Sequence, residues 1–89
     1  KKFDGKIINI HPSLLPKYKG LNTHNRAIKN KDKFSGCTVH YVTEKLDSGI
    51  VILQKKIKIA AKDNSVSLAK KVLKLEHKLY PAAIKKIFT

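Results

Sequence analysis

The sequence between positions 65 and 87 carries a long apolar stripe with helical periodicity, and this stripe constrains the fold most. Successive helical residues rotate by about 100°, so the apolar residues fall within one half of the helical wheel and most lysines within the other. The apolar set is Val66, Leu68, Ala69, Val72, Leu73, Leu75, Leu79, Tyr80, Ala83, Ile84 and Ile87. Such a helix must bury its stripe against another layer, and a chain of 89 residues has room for only one thin core. One small domain with a long carboxyl-terminal helix is therefore predicted.

One carboxylate interrupts this stripe. Glu76 projects close to the middle of the apolar arc, where burial is costly unless the carboxylate meets a partner. We therefore interpret Glu76 as the contact of a ligand or polar group, and His77 beside it as solvated. Asp63 is expected to cap the helix, which begins near Asn64 or Ser65, and Pro81 is expected to kink or divide it.

Runs of β-branched residues predict the strands. Residues 6–10 form a nearly unbroken apolar run, typical of a core strand buried on both faces of a parallel sheet. Residues 37–42 and 50–59 predict an antiparallel strand pair joined by a loop over 43–49. The alternation in the last strand places Lys56 and Lys58 outside and Ile57 and Ile59 inside.

A loop and a short helix connect these runs. Pro12 and Pro16 enclose the loop that ends the first strand, and a helix capped by Asn22 or Thr23 runs to about Lys31. The predicted class is α/β, with a parallel core strand, an antiparallel strand pair and a long carboxyl-terminal helix.

The charge is strongly positive, since 20 basic residues face 6 acidic ones for a net charge of +14. This balance is compatible with binding of nucleic acid or another polyanion. The lysines are spread along the whole chain, however, and Arg26 is the only arginine, the residue type that base recognition favours. Compositional drift is the favoured explanation, and a non-catalytic basic polyanion-binding fragment stays as an alternative.

Cysteine content and hydropathy exclude several other classes. Cys37 is the single cysteine, so an internal disulfide or a cysteine zinc cluster is excluded, and it is expected to be a small buried hydrophobe. No apolar stretch reaches the roughly 20 residues of a membrane span. We expect a cytoplasmic protein that does not bind membranes.

Three polar residues are candidates for chemistry. Asn9 and His11 lie on the same side at the end of the first strand, where an amide and an imidazole could stabilise a carbonyl oxygen that gains charge. Spacing alone favours the alternative, a polar strand end satisfied by local backbone. Asp47 lies in the loop between the strand pair, where turn chemistry is the simpler explanation unless it faces a histidine. His24 is expected to be exposed, and His40 is equally compatible with the core and with a site.

Five segments in register resemble the 10-formyltetrahydrofolate-dependent formyltransferases. The signature is Ile8-Asn9-Ile10-His11-Pro12-Ser13-Leu14-Leu15-Pro16, and the others are Lys17 to His24, Gly36 to Thr43, Leu46 to Gln54 and Glu76 to Pro81. The similarity covers nearly the whole chain. Residues 1–89 are thus expected to be the carboxyl-terminal part of a single Rossmann-like domain, whose amino-terminal half, with a glycine-rich phosphate loop, is absent.

The resemblance implies an activity and residue roles. It implies transfer of a formyl group from 10-formyltetrahydrofolate, the co-substrate, to the amine of glycinamide ribonucleotide in purine biosynthesis, without a metal. It implies Asn9, His11 and Asp47 as the catalytic group, Asn9 and Asp47 also contacting folate, and Glu76 on the ribose of the acceptor. It further implies a cis Leu15-Pro16 bond. A formyltetrahydrofolate deformylase-like hydrolase is the alternative, although Leu21 to His24 favour the glycinamide branch.

Overall fold

A computed structural model of the chain describes residues 2–3, 6–42 and 50–87. These residues form β1 (Lys2–Phe3), β2 (Lys6–His11), α1 (Thr23–Lys29), β3 (Phe34–Tyr41), β4 (Val51–Lys58) and α2 (Ser65–Ile87). The strands make one sheet in the order β1-β2-β3-β4, and every neighbouring pair is antiparallel. The α/β class, the antiparallel pair β3–β4 and the long carboxyl-terminal helix are as predicted.

The parallel partner expected for the first strand is not present within the described residues. β2 pairs antiparallel with both β1 and β3, and its register with β3 joins Ile8 to Tyr41 and His11 to Thr38. An apolar run indicates that both faces of a strand are buried, but it does not indicate whether the neighbouring strands are parallel or antiparallel. Along Ile8 to His11, the edge of β2 that faces away from β3 has no strand beside it in the described part of the chain.

The core lies between α2 and the sheet. The helix buries Leu68, Val72, Leu79 and Ala83, which are spaced so that they share one face. Opposite them, Cys37 and Val39 of β3 are fully buried. Most of the apolar stripe thus closes the core, whereas its members Val66 and Leu73 are exposed.

Pro81 was expected to kink or divide α2, and the second of these two outcomes, a division, is wrong. The helix is continuous from Ser65 to Ile87. Proline removes one backbone donor and strains the preceding turn, but Leu79 and Ala83 are buried on both sides of it and hold the two halves against the same core. Tertiary packing here outweighs the local preference of one residue.

The amino-terminal cap of α2 also differs from expectation. The helix begins at Ser65 as predicted, but the capping side chain is Asn64, whose Oδ1 accepts from the Ser67 backbone N–H at 2.8 Å. Ser67 Oγ accepts in return from the Asn64 N–H at 2.9 Å, which makes a reciprocal capping box. Asp63 instead accepts from the Ala60 N–H and from Lys71 Nζ, and so ties the incoming loop to the second turn of the helix.

The outer strand follows the predicted alternation. Lys56 and Lys58 of β4 are exposed, whereas Ile57 and the following Ile59 pack against the core. β3 begins at Phe34, earlier than predicted, and α1 ends at Lys29, short of Lys31. Neither helix in the described ranges is long and apolar enough to cross a membrane.

Candidate active site

The end of β2 presents the two predicted polar residues. His11 is the last residue of the strand and is only 5% exposed, whereas Asn9, two residues earlier, is exposed. The chain leaves the sheet at once, because the Ser13 N–H donates to the His11 carbonyl at 2.9 Å. His11 is therefore held at a fixed corner, between the sheet and the loop that follows.

That loop is fastened to β3 and β4 by two side chains. Thr38 Oγ1 donates to the Ser13 carbonyl at 2.7 Å and accepts from the Leu15 N–H at 3.1 Å. Gln54 Nε2 donates to the Leu15 carbonyl and to Thr38 Oγ1, both at 2.9 Å. The backbone of residues 13–15 thus acquires partners for groups that would otherwise be buried without any. The Leu15-Pro16 bond is cis, as the resemblance implied.

Close packing below the same loop depends on a glycine. A Cβ at Gly36 would lie 2.0 Å from the Lys55 carbonyl oxygen and 2.7 Å from Leu14 Cδ2. Only a residue without a side chain lets the loop and β4 approach β3 this closely. Gly36 therefore contributes indirectly to the position of the strand end that carries His11.

Glu76 lies where the helical wheel placed it, on the side of α2 that faces β2. Together with Asn9 it lines a cavity of about 560 Å³, whose other walls include Ile8, Leu73 and Tyr80. Burial raises the pKa of the Glu76 carboxyl, and the charges of His77 and His11 partly offset this effect. The helix thus carries a partly desolvated carboxylate close to His11.

A second cavity of about 620 Å³ adjoins His11 near the start of α1. It is lined by His11, His24 and Lys70 among others. His24 is half-buried, which corrects the expectation that it is exposed, and burial lowers its pKa. The buried residues of α1 are Thr23 and Ala27, and the Nδ1 atom of the adjacent His24 is also shielded from solvent.

The structure describes two of the three remaining residues, His40 and Cys37, but not Asp47. His40 is buried in β3 and its Nδ1 donates to the Tyr41 carbonyl at 3.1 Å, which fits its interpretation as a core histidine. Cys37 is fully buried, and burial followed by the charge of Glu76 raises the pKa of its thiol to about 12. Asp47 lies outside the described residues, and so does the expected approach of Asp47 to His11.

Sequence reasoning missed the residues that build the walls of this corner. Thr38, Gln54, Tyr18 and Asp32 all bond to the segment from Ser13 to Tyr18 or anchor it. Their polar side chains looked like ordinary strand and loop residues. The only available signal was the placement of Thr38 and Gln54 within runs otherwise suited to burial.

The fold is α/β, β2 carries the Asn9 amide and the His11 imidazole, and α2 carries the Glu76 carboxylate. These features can now be compared with those of known proteins. The family model described as formyl transferase matches residues 1–84, and the chain belongs to the formyl transferase family. The phosphoribosylglycinamide formyltransferase of Escherichia coli is 48% identical over 82 residues, which are 92% of this chain and 39% of that protein. The human trifunctional purine biosynthetic protein adenosine-3 is 44% identical over 84 residues, which are 94% of this chain and 8% of that protein.

Solved structures agree with the sequence relatives. Phosphoribosylglycinamide formyltransferase from Bacillus halodurans superimposes with a TM-score of 0.90 at 42% identity, covering 97% of this chain and 44% of that one. The enzyme from Brucella melitensis gives a TM-score of 0.87 at 49% identity, covering 94% of this chain and 43% of that one. The chain therefore spans less than half the length of these relatives.

Proposed function

We propose that this chain is the carboxyl-terminal part of an enzyme that transfers a formyl group from 10-formyltetrahydrofolate to the amine of glycinamide ribonucleotide. The reaction belongs to de novo purine biosynthesis, and its folate co-substrate and ribonucleotide acceptor are the partners. The observation that carries the proposal is the cavity that Asn9 and Glu76 share beside β2, the strand that ends at His11, in a chain 48% identical to a phosphoribosylglycinamide formyltransferase.

The reaction needs a group that stabilises negative charge on oxygen. The acceptor amine attacks the formyl carbon, and the carbonyl oxygen becomes an oxyanion in the tetrahedral intermediate. The Asn9 amide and a protonated His11 would donate hydrogen bonds to this oxygen, and loss of one such donor typically costs about 10²–10³ in kcat. The carbon–nitrogen bond to folate then breaks, while the proton lost by the amine moves to the leaving folate nitrogen.

Asp47 would favour the charged form of His11, and Glu76 would position the ribose of the acceptor. A carboxylate at Asp47 within reach of the imidazole favours its protonated form, and Asp47 together with Asn9 would contact the folate. Glu76 is suited to accept hydrogen bonds from the ribose hydroxyls, because its carboxylate is partly desolvated and lies in the cavity that Asn9 shares. The chemistry as written uses no metal and no covalent intermediate on the protein.

The finer fold proposal concerns the open edge of β2. We assign residues 1–89 to the carboxyl-terminal part of a single Rossmann-like domain, in which a parallel strand from the amino-terminal half would pair along Ile8 to His11. The same half would supply the glycine-rich loop that grips the phosphate of the acceptor. The unpaired edge in the described chain and the 39% coverage of the Escherichia coli relative support this assignment. The cytoplasm is the proposed compartment.

The test joins this chain to the residues that precede the matched region in the Escherichia coli relative and measures formylation of glycinamide ribonucleotide. We expect turnover, a loss of about 10²–10³ for Asn9→Ala or His11→Ala, and unchanged turnover for the exposed control Lys74→Ala. Formate release without an acceptor would instead support the hydrolase. Full activity of His11→Ala would refute the assigned chemistry.

A further inference from the structure

The ring of His11 has a fixed partner at one nitrogen. His11 Nε2 lies 2.8 Å from the carbonyl oxygen of Tyr18. A backbone carbonyl can only accept, so Nε2 must carry a hydrogen in both the neutral and the charged imidazole. The proton that the ring gains or loses is then the one on Nδ1, and the tautomer of neutral His11 is set by Tyr18.

The Tyr18 carbonyl points at His11 because its backbone is left-handed. Tyr18 has φ of 54°, a conformation that residues with bulky side chains adopt rarely. Ser13 Oγ donates to the neighbouring Lys17 carbonyl at 2.5 Å, which helps to hold the turn closed. A residue in such a conformation needs an anchor that outweighs its local preference.

The anchor is the Tyr18 side chain, which leads away from the site. Its hydroxyl donates to Asp32 Oδ2 at 2.6 Å and accepts from Asn30 Nδ2 at 2.9 Å. The guanidinium of Arg26 lies 5.0 Å from the ring centroid. Asp32 is itself held by Lys17, whose Nζ lies 3.1 Å from Oδ2. Both ends of the tyrosine are thus fixed, the carbonyl at His11 and the hydroxyl at Asp32.

We propose that Tyr18 and Asp32 are positioning residues for His11: their hydrogen bond holds the Tyr18 carbonyl against Nε2 and so fixes the ring orientation and the proton-exchanging nitrogen. Neither side chain need touch substrate. The inference rests on the proposed function for its importance to formyl transfer, but not for the tautomer itself. Second partners of a histidine commonly set its tautomer and orientation, and a wrong tautomer disables catalysis.

The experiment measures ¹⁵N chemical shifts of the His11 ring in the 89-residue chain at a pH where the imidazole is neutral. We expect a protonated-type shift at Nε2 and an unprotonated-type shift at Nδ1. Tyr18→Phe removes the hydroxyl but keeps the ring, and both shifts should move toward each other as the tautomers mix. Tyr41→Phe, the same change at another half-buried tyrosine, should leave them unchanged. The variants keep Glu76, Lys70 and His24, the other charged or titratable groups around His11 on α2 and α1.

Asp32→Ala provides a second route to the same contact. It should reproduce the shift change, and the double variant should add nothing to either single one, because both remove one hydrogen bond. If Tyr18→Phe does not fold, Asp32→Ala alone decides. Folded variants that keep the wild-type shifts would overturn the positioning role.

The same variants are also made in the joined enzyme, which is this chain fused to the preceding residues of the Escherichia coli relative. Their activity separates this inference from the proposed function. Tyr18→Phe should lower kcat by about 10-fold with KM for both substrates unchanged, since binding groups are not altered. Altered shifts in an enzyme that His11→Ala leaves fully active would refute the proposed function and keep the tautomer assignment. If the ¹⁵N shifts are unchanged in the Tyr18→Phe variant and His11→Ala is inactive, the positioning role of Tyr18 is refuted and the proposed function is kept.

Discussion

At the residue scale, the partial burial of the Glu76 carboxylate lowers the stability of the fold. Its carboxyl pKa is raised mainly by burial, so the ionised form destabilises the fold. The sign follows from linkage: a raised folded pKa favours the fold below the unfolded value, and this advantage is lost as the pH rises through the folded value.

Glu76→Gln should therefore be more stable than wild type at pH 7 and equal to it under acid conditions where both are neutral. Thermal unfolding at the two pH values measures this, with Lys74→Gln as a control at an exposed position of the same helix. In the joined enzyme the same variant should weaken binding of glycinamide ribonucleotide more than binding of folate. A Gln variant less stable than wild type at pH 7 would contradict the desolvation argument.

The pKa of Asp63 is shifted in the direction opposite to that of Glu76. Hydrogen bonds from Lys71, the Ala60 N–H and Ser67 lower the pKa of its carboxyl from 3.8 to about 2. Ionised Asp63 thus stabilises the fold above its unfolded pKa, and that stabilisation is lost as the pH falls through about 2.

Asp63→Asn should accordingly lower the unfolding midpoint at neutral pH, with a difference from wild type that shrinks below pH 3.8 and is lost as the pH falls through about 2. Urea unfolding across this pH range measures the difference. A Lys71→Met variant should show a weaker acid dependence, since it removes the largest cause. A difference that stays constant with pH would exclude this origin.

At the scale of elements, α2 holds the molecule together through one face. Leu68 is fully buried, whereas Leu73 on the same helix is 50% exposed. Truncating a buried leucine loses transfer free energy and leaves a cavity, at a cost of about 2–5 kcal/mol. Leu68→Ala should cost this much, and Leu73→Ala should stay within about 1 kcal/mol. Urea unfolding compares the pair, and equal losses would mean that the helix docks by another face.

The same elements show what a sequence reveals. The periodic stripe of α2 and the alternation of β4 predicted both elements, because burial imposes a repeat that can be counted. Glu76 stood out because it broke that repeat. The direction of β2's neighbours and the reach of Gln54 to Leu15 could not be predicted, because a local pattern does not record which distant segments meet. Tyr18 was missed for the same reason, since its partner Asp32 lies beyond α1.

At the scale of the whole molecule, Asn9 is exposed and Glu76 is half-buried, whereas His11 is buried at the end of β2. The cavity shared by Asn9 and Glu76 lies next to the edge of β2 that has no strand beside it among the described residues. Under the proposed assignment, the missing wall and the phosphate loop come from the other part of the domain. Holding the amine at attack distance is therefore the contribution that this chain alone would lack.

The isolated 89-residue chain should consequently show no formyl transfer, even though it carries the proposed catalytic residues Asn9, His11 and Asp47 in its sequence. Positioning can account for about 7–11 kcal/mol of a barrier, which is enough to make turnover undetectable. The measurement is formylated product in the presence of both substrates, with the joined enzyme at the same concentration as the positive control. The Escherichia coli segment alone serves as the negative control, because it lacks Asn9, His11 and Glu76. Folate-dependent formylation of glycinamide ribonucleotide by the isolated chain would show that the acceptor site lies within these residues after all.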